Sequence, residues 1–374
     1  MVDNADTSSE QQTRTLQQAL DLAVQHHAAG DLSKAESIYQ QVLKSDPNQP
    51  VALHLLGVVA HQSGKNDIAV DFITKALALR PDYVEAHNNL GNTLVDLGKL
   101  DDAVTSYQKV FEFDPDFAGA HNNLGNAQQK LGRLDEAVTS FQKALTIDPN
   151  LAEAHNNLGL ALQETGKPEE ALESYYKALN IMPDYAEAHY NIGNTLCDLG
   201  KLDDAVTSYN KALAIKPDYA AVFNNLGIAL FDLGMEVAAV ASYQRALAIK
   251  PDYAEAYNNL GNVLRKLEKE DEAVASYQKA LAINPNFPEA YNGLGNLYKD
   301  KRQLDEAVAS YQRALDIKPD FPEGNYNLGR VLLILGQFKE GLKYTRKGYG
   351  VIEFSNDKSG HFSIIGGLER KAET

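Results

Sequence analysis

A chain of 374 residues with 51 acidic against 35 basic side chains carries a net charge of −16, which repels nucleic-acid phosphates and anionic lipid and favours neutral or basic partners. The single cysteine, Cys197, excludes an intrachain disulfide, and no apolar run reaches the roughly 18 residues of a membrane span. The opening MVDNADTSSEQQTRT has neither the basic nor the apolar region of a secretory leader, so a cytoplasmic setting is expected.

Residues 1–15 are polar and without periodicity and read as an unstructured lead-in. From residue 16 to 347 one pattern returns every 34 residues. Pro47, Pro81, Pro115, Pro149, Pro183, Pro217, Pro251, Pro285 and Pro319 mark one of its positions, and Gly57, Gly91, Gly125 and their successors to Gly329 mark another. A fixed period in this range belongs to a solenoid, whose units are too small to bury their apolar faces alone and stack on one another. Ten units result, the first and tenth atypical.

Residues 84–117 show the unit most clearly. On a helical wheel His87, Leu90, Gly91 and Leu94 share one side, and Glu85, Asn89, Asn92 and Asp96 form a polar stripe on the other. Gly98 supplies the left-handed residue that closes this helix. A second helix begins with Asp101 and Asp102, whose charges suit its positive end, and runs to about Phe113 with Leu100, Ala103, Tyr107 and Val110 as its apolar stripe. Asp114-Pro115 then stops it.

The second unit departs from the pattern. Val51, Leu55 and Val58 occupy its polar stripe, while Leu53, Leu56, Gly57 and Ala60 make the other face apolar as well. A helix apolar all round is normally covered all round. Either the first unit folds over it, or Val51, Leu55 and Val58 form a patch for self-association or partner docking. In the regular units, residues 84–321, Glu268 and Arg302 replace the closing glycine, and looser helix ends are expected there. The tenth unit has Gly341 for the usual alanine and Glu353 for the proline, as a degraded terminal unit would. Residues 348–374 leave helical spacing. Val351–Phe354 and His361–Ile365 are β-prone runs around a polar turn, so a small hairpin covering the apolar helix with Val331, Leu333, Ile334 and Leu335 is one reading, and the stub of a lost domain is the other.

The spacing of Leu90-Gly91, Leu94, Ala103, Tyr107 and Pro115 resembles the tetratricopeptide repeat, over roughly residues 16–347. That resemblance implies an all-α fold, an α-solenoid wound as a right-handed superhelix of about ten helix pairs, with the first helix of each pair lining a concave groove. The asparagine runs are similar to the arrays attached to O-linked N-acetylglucosamine transferases and their bacterial relatives, which implies a ladder of asparagines gripping a peptide main chain.

The ladder would be Asn89, Asn123, Asn157, Asn191, Asn225, Asn259 and Asn327, interrupted by Gly293, with a second row of Asn92, Asn126, Asn194, Asn262 and Asn296 one turn on. Asparagine is a poor residue for mid-helix, so its recurrence needs a cause. A carboxamide donates and accepts, as a peptide backbone requires. The alternative is that these side chains bond to one another between units. Selectivity would come from the acidic margin Glu85, Glu153, Glu187, Glu255, Glu289 and Glu323 and from Leu160, Ile228 and Phe231. A clamp for a C-terminal carboxylate is disfavoured, because glutamate stands where such clamps place lysine.

His87, His121, His155 and His189 recur at one position, but neighbouring helices lie about 8–10 Å apart and zinc needs ligand atoms at about 2.0–2.1 Å, so no metal is expected. Tyr107, Tyr175, Tyr209, Tyr243, Tyr277 and Tyr311 read as fillers between helices. No phosphate loop, dinucleotide fingerprint, nucleophile elbow or HExxH motif is present, so no cofactor and no catalysis are expected. The expected function is a non-catalytic scaffold binding extended segments of partner proteins. Its rival is the substrate-recruiting arm of a glycosyltransferase system whose catalytic domain lies elsewhere.

Overall fold

The computed structural model describes residues 3–349, 352–356 and 362–366, and divides into two compact units, Met1–Ala188 and His189–Thr374. In the first, α1 (Asp3–Ala28) packs on α2 (Leu32–Ser45), α3 (Pro50–Gln62) on α4 (Asn66–Leu79), α5 (Val84–Asp96) on α6 (Leu100–Phe113), α7 (Ala118–Lys130) on α8 (Leu134–Ile147), and α9 (Ala152–Glu164) on α10 (Pro168–Ile181). The boundary between the units falls inside α11 (Ala186–Asp198), which is followed by α12 (Leu202–Ile215). In the second unit α13 (Ala220–Asp232) packs on α14 (Glu236–Ile249), α15 (Ala254–Lys266) on α16 (Glu270–Ile283), α17 (Pro288–Asp300) on α18 (Leu304–Ile317), and α19 (Pro322–Ile334) on α20 (Phe338–Tyr349). This is a helical repeat solenoid in each unit.

The turn inside each pair is set by one left-handed residue. Gly98 has φ 72°, and its neighbour Lys99 returns an N–H to Leu94 O at 2.9 Å, which satisfies a carbonyl at the helix end. Glu268 and Arg302 adopt φ 60° in the same place, and Lys269 N bonds Leu264 O at 2.9 Å as in the glycine-closed units. The looser ends expected at these two positions are therefore absent. The hydrogen bonds of the turn hold a side chain in a region it disfavours, and the strain is carried locally.

Within a pair, the recurrent glycine of the first helix seats the recurrent aromatic of the second. A Cβ added at Gly159 would stand 2.6 Å from Tyr175 Cε1, and one at Gly125 2.6 Å from Phe141 Cε1. The ring lies flat on bare backbone, and Tyr39, Tyr107, Tyr175, Tyr209, Tyr243, Tyr277 and Tyr311 are the largest fully buried side chains, with Phe141 in the same role. Ala103, Ala137, Ala171 and their equivalents, also fully buried, keep the helices close enough for that contact.

The N-terminal end differs from the sequence reading. Helix α1 begins at Asp3, so the stretch expected to be an unstructured lead-in is helical from there; extending a helix already nucleated by a packed segment adds one bond per residue fixed. At the other end β1 (Ile352–Asn356) and β2 (Phe362–Gly366) pair antiparallel, with Phe354 opposite Ile364. Their side chains, and with them the expected covering of the last apolar helix, lie outside the described residues. Of that helix, Val331 is buried in the last pair while Ile334 is 63% exposed.

Helix α3 is covered from two directions. Ala52, Leu56 and Val59 join a core with Leu20, Ala23, Tyr39 and Val42 of the first pair, Leu55 packs against that core, and α4 and α5 lie on other sides. Val51, Leu55 and Val58 are each half-buried.

Candidate functional site

The first asparagine row forms rungs between consecutive units. Asn123 Nδ2 donates to Asn88 Oδ1 at 3.1 Å, Asn157 to Asn122 at 3.1 Å, Asn259 to Asn224 at 3.2 Å and Asn327 to Asn292 at 2.9 Å. Asn89 does the same to His54 Nε2 at 2.9 Å, and Asn225 to the Tyr190 hydroxyl at 3.1 Å and to Asn194 Oδ1 at 2.9 Å. Asn191 is buried, and the others of this row are half-buried. Apart from Asn194, the acceptor in each described rung sits one residue before the equivalent position of the preceding unit, 35 residues back. The acceptors Asn88, Asn122, Asn224 and Asn292 were missed from sequence, although the doubled asparagines at 88–89, 122–123 and 224–225 were a signal: the first accepts from the next unit, and the second donates to the unit before.

The second row is held differently. Tyr107, Tyr209, Tyr277 and Tyr311 each donate their hydroxyl to the carboxamide oxygen of Asn92, Asn194, Asn262 and Asn296, at 2.7, 2.8, 2.8 and 2.8 Å. A buried hydroxyl without a partner is costly, so the asparagine satisfies the aromatic that fills the pair. Asn126 belongs to the helix pair whose aromatic is Phe141, which has no hydroxyl to give. Each tyrosine-held carboxamide is oriented through its oxygen, and in Asn92, Asn262 and Asn296 the Nδ2 group has no hydrogen-bond partner among the described residues.

Asparagines of the first helices line open depressions. In the first unit Asn92, Asn123, Asn126 and Asn157 line one of about 630 Å³ with Asp96 and Leu160. In the second, Asn258, Asn262, Asn292 and Asn296 line one of about 610 Å³ with Glu289 and Glu323. The glutamates of the margin, Glu85, Glu153, Glu187, Glu255, Glu289 and Glu323, are all exposed, and Glu153 accepts from Asn122 Nδ2 at 3.3 Å.

Family models match along most of this length. Models described as TPR repeat match residues 91–132, 193–234, 238–268, 261–302 and 295–336, and models described as tetratricopeptide repeat match residues 20–84, 72–105 and 116–184. The chain belongs to the tetratricopeptide repeat family. Among solved structures it is similar to the crystal structure of the APC/C hetero-tetramer Cut9-Hcn1, with 19% identity and a TM-score of 0.56, over 80% of this chain and 59% of that one. It is also similar to a structure from the functional characterization of Pseudomonas aeruginosa pilF, with 22% identity and a TM-score of 0.50, over 55% of this chain and 94% of that one. Both likenesses are of fold. No curated protein matches the chain.

In this tetratricopeptide array the recurrent histidines belong to the turns. His87, His121 and His155 place Nε2 against the carbonyls of Pro81, Pro115 and Pro149 at 2.8, 3.1 and 3.1 Å, and Asn325 Nδ2 takes over that bond to Pro319 at 3.1 Å. Burial pushes His121 and His155 below the ordinary histidine range, with the carbonyl bond acting the other way. His54, the acceptor of the first rung, is pushed down to about 4 by burial. No helix among the described residues is long and apolar enough to cross a membrane.

Proposed function

We propose that the chain is a non-catalytic scaffold that binds extended segments of partner proteins along the asparagine-lined face. The observation that carries this reading is the second row: Asn92, Asn262 and Asn296 are fixed through their oxygen by a buried tyrosine and keep Nδ2 free in a depression. An oriented donor loses little entropy on binding a peptide carbonyl. Neighbouring helices repeat at about 8–10 Å and an extended chain rises about 3.3 Å per residue, so one rung serves about every third peptide residue. Each bond adds only about 0.5–1.5 kcal/mol, and affinity comes from the number of units engaged.

The first row acts here as the frame that sets the spacing of the second, since its donors are engaged between units. The exposed glutamates of the margin favour neutral to basic segments. The resemblance of the asparagine runs to transferase arrays supports the same grip, and Cut9-Hcn1, a hetero-tetramer, gives the fold a precedent in protein assembly. The test is an array of extended peptides probed with the purified chain and with a variant carrying Asn126→Ala and Asn296→Ala. Binding of neutral and basic peptides that drops several-fold in a variant that still melts cooperatively is expected. Undiminished binding to the folded variant overturns the reading.

A further inference from the structure

Among the described rungs there is a break at Gly293, and it leaves a mark. At Gly293 the donor is missing, and the acceptor it would have met, Asn258 Oδ1, is buried without a hydrogen-bond partner in a residue 7% exposed. Asn258 Nδ2 reaches only Asn259 Oδ1, at 3.4 Å. The corresponding oxygens of Asn88, Asn122, Asn224 and Asn292 are all bonded.

The chain cannot close this break with a longer side chain at 293. A Cβ there would stand 2.7 Å from Tyr277 Cζ and 3.1 Å from Tyr277 Cδ1, because the ring that packs on Gly261 also lies against Gly293. The same depression that holds Asn258 and Gly293 is bordered by the exposed carboxylates of Glu289 and Glu323. Its one cation, Lys318, has Nζ 5.5 Å from the centre of the Phe321 ring.

We propose that this break is a side-chain subsite for arginine or lysine of the bound segment. The inference rests on the peptide-binding reading above and adds the first fixed position in its sequence preference. A cationic side chain carries donors only, so one N–H satisfies Asn258 Oδ1 while the others face the two carboxylates. Arginine suits it better than lysine, because its planar fork reaches an amide oxygen and a carboxylate at once. The other described rungs are closed and treat peptides alike; here one rung is left for the ligand to complete.

The experiment uses two fluorescent, acetylated nine-residue peptides of alternating alanine and serine, one with arginine and one with glutamine at the centre. Their affinities are measured by polarisation against the full chain, against Asn258→Leu, and against Glu289→Gln, at salt high enough to screen the net charge. The full chain is expected to prefer the arginine peptide about tenfold, a ratio in keeping with a hydrogen bond to a charged donor, and the ratio should fall to near one in Asn258→Leu. Glu289→Gln, an exposed change that does not touch the fold, should lower the ratio by a smaller factor. A preference that persists in Asn258→Leu assigns it to bulk charge and overturns the subsite. Equal binding of both peptides to the full chain also overturns it while leaving the groove standing, whereas binding of neither peptide removes the groove and the subsite together.

Discussion

Asn157 Nδ2 donates to Asn122 Oδ1 at 3.1 Å, joining α9 to α7 through an acceptor that is itself buried. The contact separates asparagines that hold neighbouring units together from those whose oxygen is held by a tyrosine of the same unit.

Asn157→Leu should therefore destabilise the chain. It strands a buried carbonyl oxygen, at a cost of about 1–3 kcal/mol. Asn258→Leu, at a position whose oxygen is already unpaired, should be close to neutral. Urea denaturation of the two variants side by side measures the difference; equal losses would mean that the rungs contribute nothing to stability.

Gly159→Ala should cost about 1–3 kcal/mol, since the added methyl group enters the space of the Tyr175 ring and a packed core yields poorly to extra volume. The same substitution helps in an ordinary helix, where alanine is favoured over glycine by about 1 kcal/mol. The sign of the change in thermal midpoint decides between the two effects.

Glu268→Gly and Arg302→Gly should each stabilise, by about 0.5–1 kcal/mol. Both residues hold φ 60°, which costs an L-residue roughly 1–2 kcal/mol, and glycine's greater freedom in the unfolded chain returns part of that gain. A midpoint unchanged or lowered in both variants would show that the left-handed strain is relieved by other contacts.

Acid should weaken the first unit. His54 is held neutral, with a folded pKa of about 4, so the unfolded chain binds its proton first as pH falls. Its contribution is fully present above about pH 6.5 and is lost progressively down to about pH 4, on the order of 3 kcal/mol in all. Burial of His121 and His155 acts in the same direction. His54→Asn restores the acceptor that Asn88 and Asn122 supply in later units, and should flatten the pH dependence of stability between pH 6.5 and 4.

The repeat, its helix pairs and their boundaries were legible in the sequence because a 34-residue period names the same few positions nine times over. Gly98 and its equivalents announced the turns, Pro115 and its equivalents the stops, and Tyr107 and its equivalents the filled gap. The backbone conformation at Glu268 and Arg302 was not legible, because it is imposed by turn hydrogen bonds against local preference. The helical start at Asp3 was missed for the opposite reason: the segment has no apolar period, and its helix is continued from the packed part of α1.

What the sequence by itself determined is the periodic scaffold: which residues are small, which are aromatic, and that two asparagine rows run along the first helices. Helical periodicity suffices for that, since it orders residues around one axis. Which partner each carboxamide takes was decided by tertiary structure alone. The Asn157 to Asn122 bond spans 35 residues, and the Tyr107 to Asn92 bond crosses between two helices, so both depend on how far apart and at what rotation the helices pack. The unpaired oxygen of Asn258 follows from the same geometry: a glycine at 293 is only a gap in a pattern until the packing shows which acceptor it leaves open.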